Sequence, residues 1–477
     1  MTRPSLTEAC TKIVATVGPA CSTPQVLRQL IETGVDVFRV NTAHGDRGQH
    51  EQIVRDIRRA ADDAGYPIGI LLDLAGPKIR LGMLRSDPYE CLPGTMVRFI
   101  RKDQPEADNE FTSTYERLID ELAVGDRVML ADGTVSLTVE SVGPDHADCR
   151  VTAGGSLRSR QGINLPGVKL SVSAMLPRDI DNAIWAAKNQ IDFVSLSFVR
   201  SAADVQGLKQ LLSEHNSDAQ VIAKIEKPEA LEELESIVDA SDGVMVARGD
   251  LGVEIDVAET PIAQKRIIRV CHQKMKPVIV ATQMLESMHH SSRPTRAEVS
   301  DVANAILDGT DACMLSGETA IGDHPAKAVE MMNRIMLSTE REMLEHHGDE
   351  FRLDGRVHAI TAAVTRAATE VAESIEAKLI VIATRSGNTA RVKSESRSRI
   401  PTLAASDSMA TLRRINLLWG IKPIKTEFIE DPAALIDEVL QWAQAHGKLA
   451  RGDRVVFVLG SGVFEKAHNL VLVQTVK

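Results

Sequence analysis

Short apolar runs recur along this chain. Each ends in a turn and is followed by a stretch with amphipathic helical spacing. Residues 13–17 form the first run, ending at Gly18-Pro19, and residues 23–33 the first helix, with Ser22 or Thr23 as its N-cap. A strand at 35–40, a helix at 50–64 and a strand at 68–72 repeat the pattern, the last ending at Asp73 and the turn Gly76-Pro77. The texture then changes. Residues 84–171 are rich in Gly, Thr and Val and carry short alternating strands at 96–100, 127–130, 135–142 and 149–152, with one helical turn within 113–122. After Pro177 the strand–helix alternation resumes, with strands at 193–198, 221–226, 244–247, 278–282 and 313–315. Three strands before the insertion and five after it make eight, which predicts a (β/α)8 TIM barrel of the α/β class interrupted by a β-rich insertion.

A long helix over 325–345 and a polar stretch at 346–355, read as a linker, precede a third unit. It has a helix at 359–374 and strands at 379–383, 401–404, 421–424 and 455–458, the pattern of a three-layer α/β domain. The expected division is 1–83 with 172–345 for the barrel, 84–171 for the insertion and 346–477 for the C-terminal domain.

In a barrel of this kind the active site lies at the carboxyl ends of the strands. Here those ends carry Arg39 and Asn41, Asp73, Ser197, Lys224 and Glu226, Asp250, Thr282, and Ser316 and Glu318. The most informative run is VIAKIEK, 221–227. Strand side chains alternate, so Lys224 and Glu226 share a face. Alone, this pair reads equally as a buried structural ion pair. A second run, GVMVARGDLGVE at 243–254, adds Asp250 at a neighbouring strand end, beside N–H groups that Gly249 exposes to an anion. Two carboxylates, a lysine and free N–H groups suit Mg²⁺ bridging an anionic substrate, because Mg²⁺ takes one or two carboxylates plus substrate oxygens.

The 477 residues carry a net charge of −11, which argues against a general nucleic-acid surface. An anionic substrate must therefore meet a local basic cluster, for which Arg39, Lys224, Lys78 and Arg80 are the candidates. Neither a GxxxxGK[ST] run nor a kinase Gly-rich loop with its HRD partner occurs, so a nucleotide would bind the barrel mouth in another way. Six cysteines without paired spacing suggest reduced thiols. No apolar run approaches the ~18 residues of a membrane span, and the N-terminus lacks an apolar signal core, so a soluble cytoplasmic protein is expected.

The motifs together resemble the pyruvate kinase family over nearly the whole chain. The resemblance rests on KIVATVGPACS (12–22), RVNTAHG (39–45), GPKIRLG (76–82), GINLPG (162–167), VIAKIEK, MVARGDLGVE (245–254) and ATQMLESM (281–288). The long RPTRAEVSDVANAILDGTDACMLSGETA (293–320) is the most specific of all. The resemblance implies a β-barrel lid domain inserted after the third strand, a C-terminal regulatory domain and a homotetramer. It also implies transfer of a phosphoryl group from phosphoenolpyruvate to ADP, giving pyruvate and ATP, with Mg²⁺ or Mn²⁺ as cofactor. Carried over, Glu226 and Asp250 hold the divalent cation, and Lys224 stabilises the transferring group and the enolate. Arg39 grips the phosphate with Ser197 nearby, and Gly249, Asp250 and Thr282 bind the substrate carboxylate. Thr282 also lies on the face where the enolate is protonated. Asn41, His44 and Arg80 correspond to nucleotide-binding positions, and Ser316 and Glu318 to support of the site.

The chain departs from the family at three places. Asn41-Thr42-Ala43-His44 replaces Asn-Phe-Ser-His, Asp73-Leu74-Ala75-Gly76-Pro77-Lys78 replaces Asp-Thr-Lys-Gly-Pro-Glu, and Gln161 replaces a lid lysine that contacts nucleotide phosphate. The family's monovalent-cation site keeps Asn41, Asp73 and the Leu74 carbonyl but loses its serine at Ala43. Lys78 stands where a glutamate is usual, and its ammonium group can supply the charge K⁺ otherwise brings. K⁺ is therefore expected not to be required. In the C-terminal domain, Thr384, Ser386, Gly387 and Thr389 lie between a strand and a helix, as a phosphate cradle does. In the family this loop takes a phosphorylated activator. An ordinary helix cap is the plain alternative for the loop. Two other functions remain open: a barrel lyase or aldolase acting on a pyruvate enolate, and a catalytically idle relative that senses metabolites.

Overall fold

The computed structural model describes residues 9–168, 170–346, 359–398, 400–427, 431–460 and 469–477. Eight parallel strands close into a barrel: β1 (Lys12–Thr16), β2 (Val37–Asn41), β3 (Gly69–Asp73), β4 (Phe193–Leu196), β5 (Gln220–Ile225), β6 (Gly243–Ala247), β7 (Val278–Ala281) and β8 (Ala312–Leu315). Every strand pairs with its sequence neighbour, and β8 pairs with β1. Alternation along each strand builds two cores. Val14, Val37, Leu71, Phe193, Ile222, Met245 and Ile279 fill the barrel interior. Ile13, Ala15, Phe38, Ile70 and Val194 point outward against the surrounding helices. Both faces are buried, so the strands read as continuous apolar runs.

Four barrel-strand expectations, 13–17, 193–198, 221–226 and 278–282, ran too far at their carboxyl ends, and backbone conformation is the reason in two. Phe198 and Thr282 have φ of +55° and +69°, which ends β4 and β7 before them. The helix expected from residue 50 begins at Arg47, where Asp46 and Gln49 form a capping box. After β5 the chain forms two short helices, Pro228–Glu232 and Leu234–Ala240. Only Leu118–Glu121 of the 113–122 stretch is helical.

The insertion folds as a curled six-stranded sheet around its own core, in which Phe99, Phe111, Val128, Leu137 and Val151 are buried. The C-terminal domain is a five-stranded sheet with helices packed on both faces. Its spatial order is Ile421–Lys425, Thr402–Ser406, Leu379–Ala383, Arg454–Gly460 and Asn469–Thr475. The last strand, antiparallel to its neighbour, was not anticipated. The stretch read as a linker lies outside the described residues from 347 onward; His346 closes the helix Pro325–His346. The C-terminal domain docks on the amino-terminal end of the barrel. Leu417 joins the barrel-interior core, Asn416 Nδ2 donates to Asp36 O and Pro67 O, and Lys12 Nζ donates to Ile421 O. The opposite end, with its polar residues, faces the insertion. Among the described residues no helix is long and apolar enough to cross a membrane.

Candidate active site

Lys224, near the end of β5, is the centre of a buried ionic chain. Its ammonium lies 2.8 Å from Glu226 Oε1, 3.4 Å from Asp73 Oδ1 and 2.7 Å from Ser197 Oγ. Asp73 also receives Arg39, whose Nε donates to Oδ2 at 2.9 Å, and Ser195 Oγ, which donates to Oδ1 at 2.6 Å. Arg39 reaches back to Thr16 Oγ1 at 3.1 Å. Glu226 Oε2 accepts from Phe198 N at 2.7 Å, and Ser197 Oγ donates to Leu74 O at 2.7 Å.

The charges tune one another. Burial by itself would raise the Asp73 carboxyl, but Lys224 and Arg39 take it down to about 2. Burial opposes a charged Lys224, yet Asp73 and then Glu226 outweigh it and raise its pKa. Glu226 is raised by burial, with the negative charge of Asp250 acting in the same direction and Lys224 against. A buried carboxylate held up by a neighbouring carboxylate is a place where a cation relieves strain. The donor set therefore fits a divalent ion completed by substrate oxygens. Among the described residues no cluster of three or more His, Cys, Asp or Glu side chains forms an all-protein metal cage.

Asp250 lies in the helix Arg248–Glu254, which follows β6 directly. Gly249 N donates to Thr282 Oγ1 at 2.7 Å, and that hydroxyl donates to Ala281 O. A Cβ at Gly249 would meet Thr282 Oγ1 at 3.3 Å, so glycine is what lets the two loops approach. Thr282 is fixed from behind by Arg248, whose Nη2 donates to its carbonyl at 2.8 Å while Nη1 binds Asp301. Lys78 reaches the same place from the third loop: its Nζ lies 3.3 Å from Asp250 Oδ1 and 3.8 Å from Asp132 Oδ1 in the insertion.

Other expected site residues lie further out. Asn41 Oδ1 accepts from Ala43 N at 3.0 Å. His44 is exposed, and its carbonyl faces His50 Nε2. Arg80 Nη1 donates to Arg160 O, and its backbone bridges Gly162, so it belongs to the hinge of the insertion. Gln161 Oε1 caps Arg158 N at 2.8 Å. Glu318 accepts from Leu285 N and Ser316 N, tying the loops after β7 and β8. In the C-terminal loop, Thr384 Oγ1 accepts from Gly387 N at 3.0 Å and thus turns inward, with Gly387 at φ +86°. Ser386 is exposed and Thr389 half-buried.

Sequence reasoning missed Ser195, Thr16 and Arg248 as partners of the site. Ser195 was findable, since it stands two residues before Ser197 on the same strand face. Arg248 stands directly after β6, beside Gly249, but its partner Asp301 comes from a distant helix, so their pairing gave no local signal.

The family described as "Pyruvate kinase, barrel domain" matches residues 8–329, and "Pyruvate kinase, alpha/beta domain" matches 362–474. The chain is 42% identical over 473 residues to pyruvate kinase 2 of Synechocystis sp., covering 98% of this chain and 79% of that one. It is 40% identical over 461 residues to the pyruvate kinase of Corynebacterium efficiens, covering 95% of each. The crystal structure of a pyruvate kinase from Cryptosporidium parvum superposes with a TM-score of 0.90 at 34% identity, covering 98% of this chain and 96% of the other.

Proposed function

The chain belongs to the pyruvate kinase family and is an enzyme of that activity, passing the phosphoryl group of phosphoenolpyruvate to ADP; within that activity we propose the following roles for its residues. Arg39 and Lys224 grip the phosphoryl group, with Ser197 fixing the Lys224 ammonium. Gly249 and Asp250 N–H groups and the Thr282 hydroxyl orient the substrate carboxylate. An oxygen of the ADP β-phosphate bonds to phosphorus as the bond to the enol oxygen breaks. Lys224 neutralises the enolate oxygen left behind, and the enolate carbon takes a proton from the Thr282 side, giving pyruvate. Mg²⁺ or Mn²⁺, held by Glu226 and Asp250, supplies neutralising charge to the phosphoryl oxygens. Asn41, His44 and Arg80 contact the nucleotide. The observation that carries this reading is the Lys224 ammonium between Ser197, Glu226 and Asp73 at 2.7, 2.8 and 3.4 Å.

We further propose that K⁺ is not required. Lys78 lies 3.3 Å from Asp250, where its ammonium supplies a fixed positive charge. The remaining donors of the monovalent site are engaged within the protein: Asp73 with Arg39, Ser195 and Lys224, Asn41 Oδ1 with Ala43 N, and Leu74 O with Ser197. Thr384, Ser386, Gly387 and Thr389 form the loop that takes the phosphate of an activating sugar phosphate or nucleoside monophosphate. Residues 1–83 with 172–345 form the catalytic barrel, 84–171 the lid and 346–477 the regulatory domain of a cytoplasmic homotetramer. The test is a coupled assay for ATP from phosphoenolpyruvate and ADP, with K⁺ or tetraalkylammonium salts and a panel of phosphorylated metabolites. Equal rates in both salts and activation by at least one metabolite are expected. Strong K⁺ activation removes the role of Lys78, and no activation by any metabolite removes the role of the loop.

A further inference from the structure

At the end of the barrel away from the active site, the segment before β1 and the C-terminal domain enclose a cavity of about 70 Å³. Cys10, Lys393, Ser398, Thr402, Trp419 and Lys422 line it. Lys393 gives it its chemistry. The side chain is buried, 3% exposed, and among the described residues its ammonium makes one hydrogen bond, to Ser396 Oγ at 2.8 Å. A lysine removed from water without a carboxylate partner is costly to keep charged, and burial pushes it down to about 8. The carboxylate whose field reaches it, Glu373, is exposed and engaged by Ser398 Oγ.

The surroundings hold a second cation and loosely held hydroxyls. Arg397 stacks 4.8 Å over the Trp419 ring; its Nη2 pairs with Asp311 Oδ1 at 2.9 Å, while Nε and Nη1 are buried and, among the described residues, without a hydrogen-bond partner. The neighbouring acid, Glu340, is committed to the backbone N–H groups of Cys10 and Thr11 at 2.8 and 2.6 Å. Among the described residues Ser398 Oγ has only long contacts, 3.3 Å to Glu373 and 3.3 Å to Ile400 N. Thr402 Oγ1 is likewise 3.3 Å from Ile400 O. An oxyanion accepts from an ammonium and two hydroxyls at once, and charge-assisted bonds of that kind are the strong ones.

We propose that this cavity binds a small tetrahedral oxyanion of the phosphate class, held by Lys393 and the Ser398 and Thr402 hydroxyls. It is separate from the barrel mouth and from the 384–389 loop, neither of which contributes a lining residue. Its walls come from both the entry to β1 and the C-terminal domain. An anion bound only when the two are docked therefore stabilises the docking by mass action.

Trp419 reports on the site directly. The chain has three tryptophans, so a full-length Trp185→Phe/Trp442→Phe protein leaves Trp419 as the only one. Titrating that protein with inorganic phosphate should give a saturable change in Trp419 fluorescence. Lys393→Met should abolish it, Lys393→Arg should keep it, and Ser386→Asp and Lys224→Met should leave it intact. The proposal is overturned if the parent shows no saturable change, or if the change survives Lys393→Met. Should Lys393→Met fail to fold, Ser398→Ala with Thr402→Val serves instead. That pair should weaken phosphate binding by at least ~10-fold through the lost charge-assisted bonds, and unchanged affinity rejects the site.

Discussion

Reversing the charge at Lys78 tests the central electrostatic claim about this enzyme. Lys78 Nζ and Asp250 Oδ1 are 3.3 Å apart, with side chains 30% and 25% exposed. At that distance Coulomb's law gives about 1 kcal/mol with the screening of bulk water and about 5 kcal/mol at an effective dielectric near 20. For a pair this exposed, about 2 kcal/mol is a reasonable working value. A phosphoryl group seated between Lys78 and Asp250 feels a charge effect of the same order, so losing the ammonium lowers turnover by about 10- to 100-fold in the absence of K⁺.

The assay is steady-state pyruvate formation at constant ionic strength, in tetraalkylammonium salt or with K⁺ replacing it. Wild type should give the same rate in both. Lys78→Glu should be slow in the first and partly recover in the second. Lys78→Glu with Ala43→Ser should recover further, because the serine restores the missing hydroxyl ligand. Lys78 also meets Asp132 of the insertion at 3.8 Å, but Asp132 is 78% exposed, so that contact contributes little. Asp132→Asn is therefore the control, and its K⁺ response should match wild type. A wild-type enzyme strongly activated by K⁺, or a Lys78→Glu enzyme as fast without K⁺ as wild type, refutes the argument.

Three further outcomes are expected. Lys224→Met should keep the fold by circular dichroism and lose at least ~10²-fold in turnover, the scale of removing one electrostatic stabiliser; near-normal turnover would strip Lys224 of its role. Ser386→Asp places a carboxylate on an exposed loop position, so basal activity should persist while metabolite activation disappears; activation that persists removes the loop from the mechanism. Asp73 has its pKa lowered in the folded state from 3.8 to about 2, so its contribution is present above the ordinary value and is lost as pH falls toward about 2. That contribution is about 2 kcal/mol. Denaturant unfolding should show the acid loss of stability in wild type and a shallower acid limb in Asp73→Asn; identical limbs would place the acid sensitivity elsewhere.

Strand geometry made the barrel legible, because strands buried on both faces read as uninterrupted apolar runs and eight of them could be counted. It also made Lys224 and Glu226 legible as a pair, since residues two apart on a strand share a face. The first turn of the helix beginning at Arg47 was missed because it is polar and holds Gly48; its start is announced by Asp46 and Gln49 rather than by apolar spacing. The strand Asn469–Thr475 pairs on one side only, at the edge of its sheet. Its apolar run therefore lacks the framing by turns and helices that marked the others.

The ionic chain itself lay beyond any local pattern. Lys224 on β5 reaches Asp73 on β3 across β4, and the closed barrel is what brings strands that are not neighbours to a common centre. β4 contributes Ser195 to Asp73 and, just past its end, Ser197 to Lys224, so the intervening strand supplies hydroxyls where a third charge would have been costly. The same closure lets Lys78, 172 residues before Asp250, stand beside it. Sequence periodicity specifies which side chains point to the barrel mouth. Which of them meet is set by barrel curvature and by loops that cross the mouth. A single substitution such as Lys78 therefore changes the chemistry of the site while leaving every strand pattern unaltered.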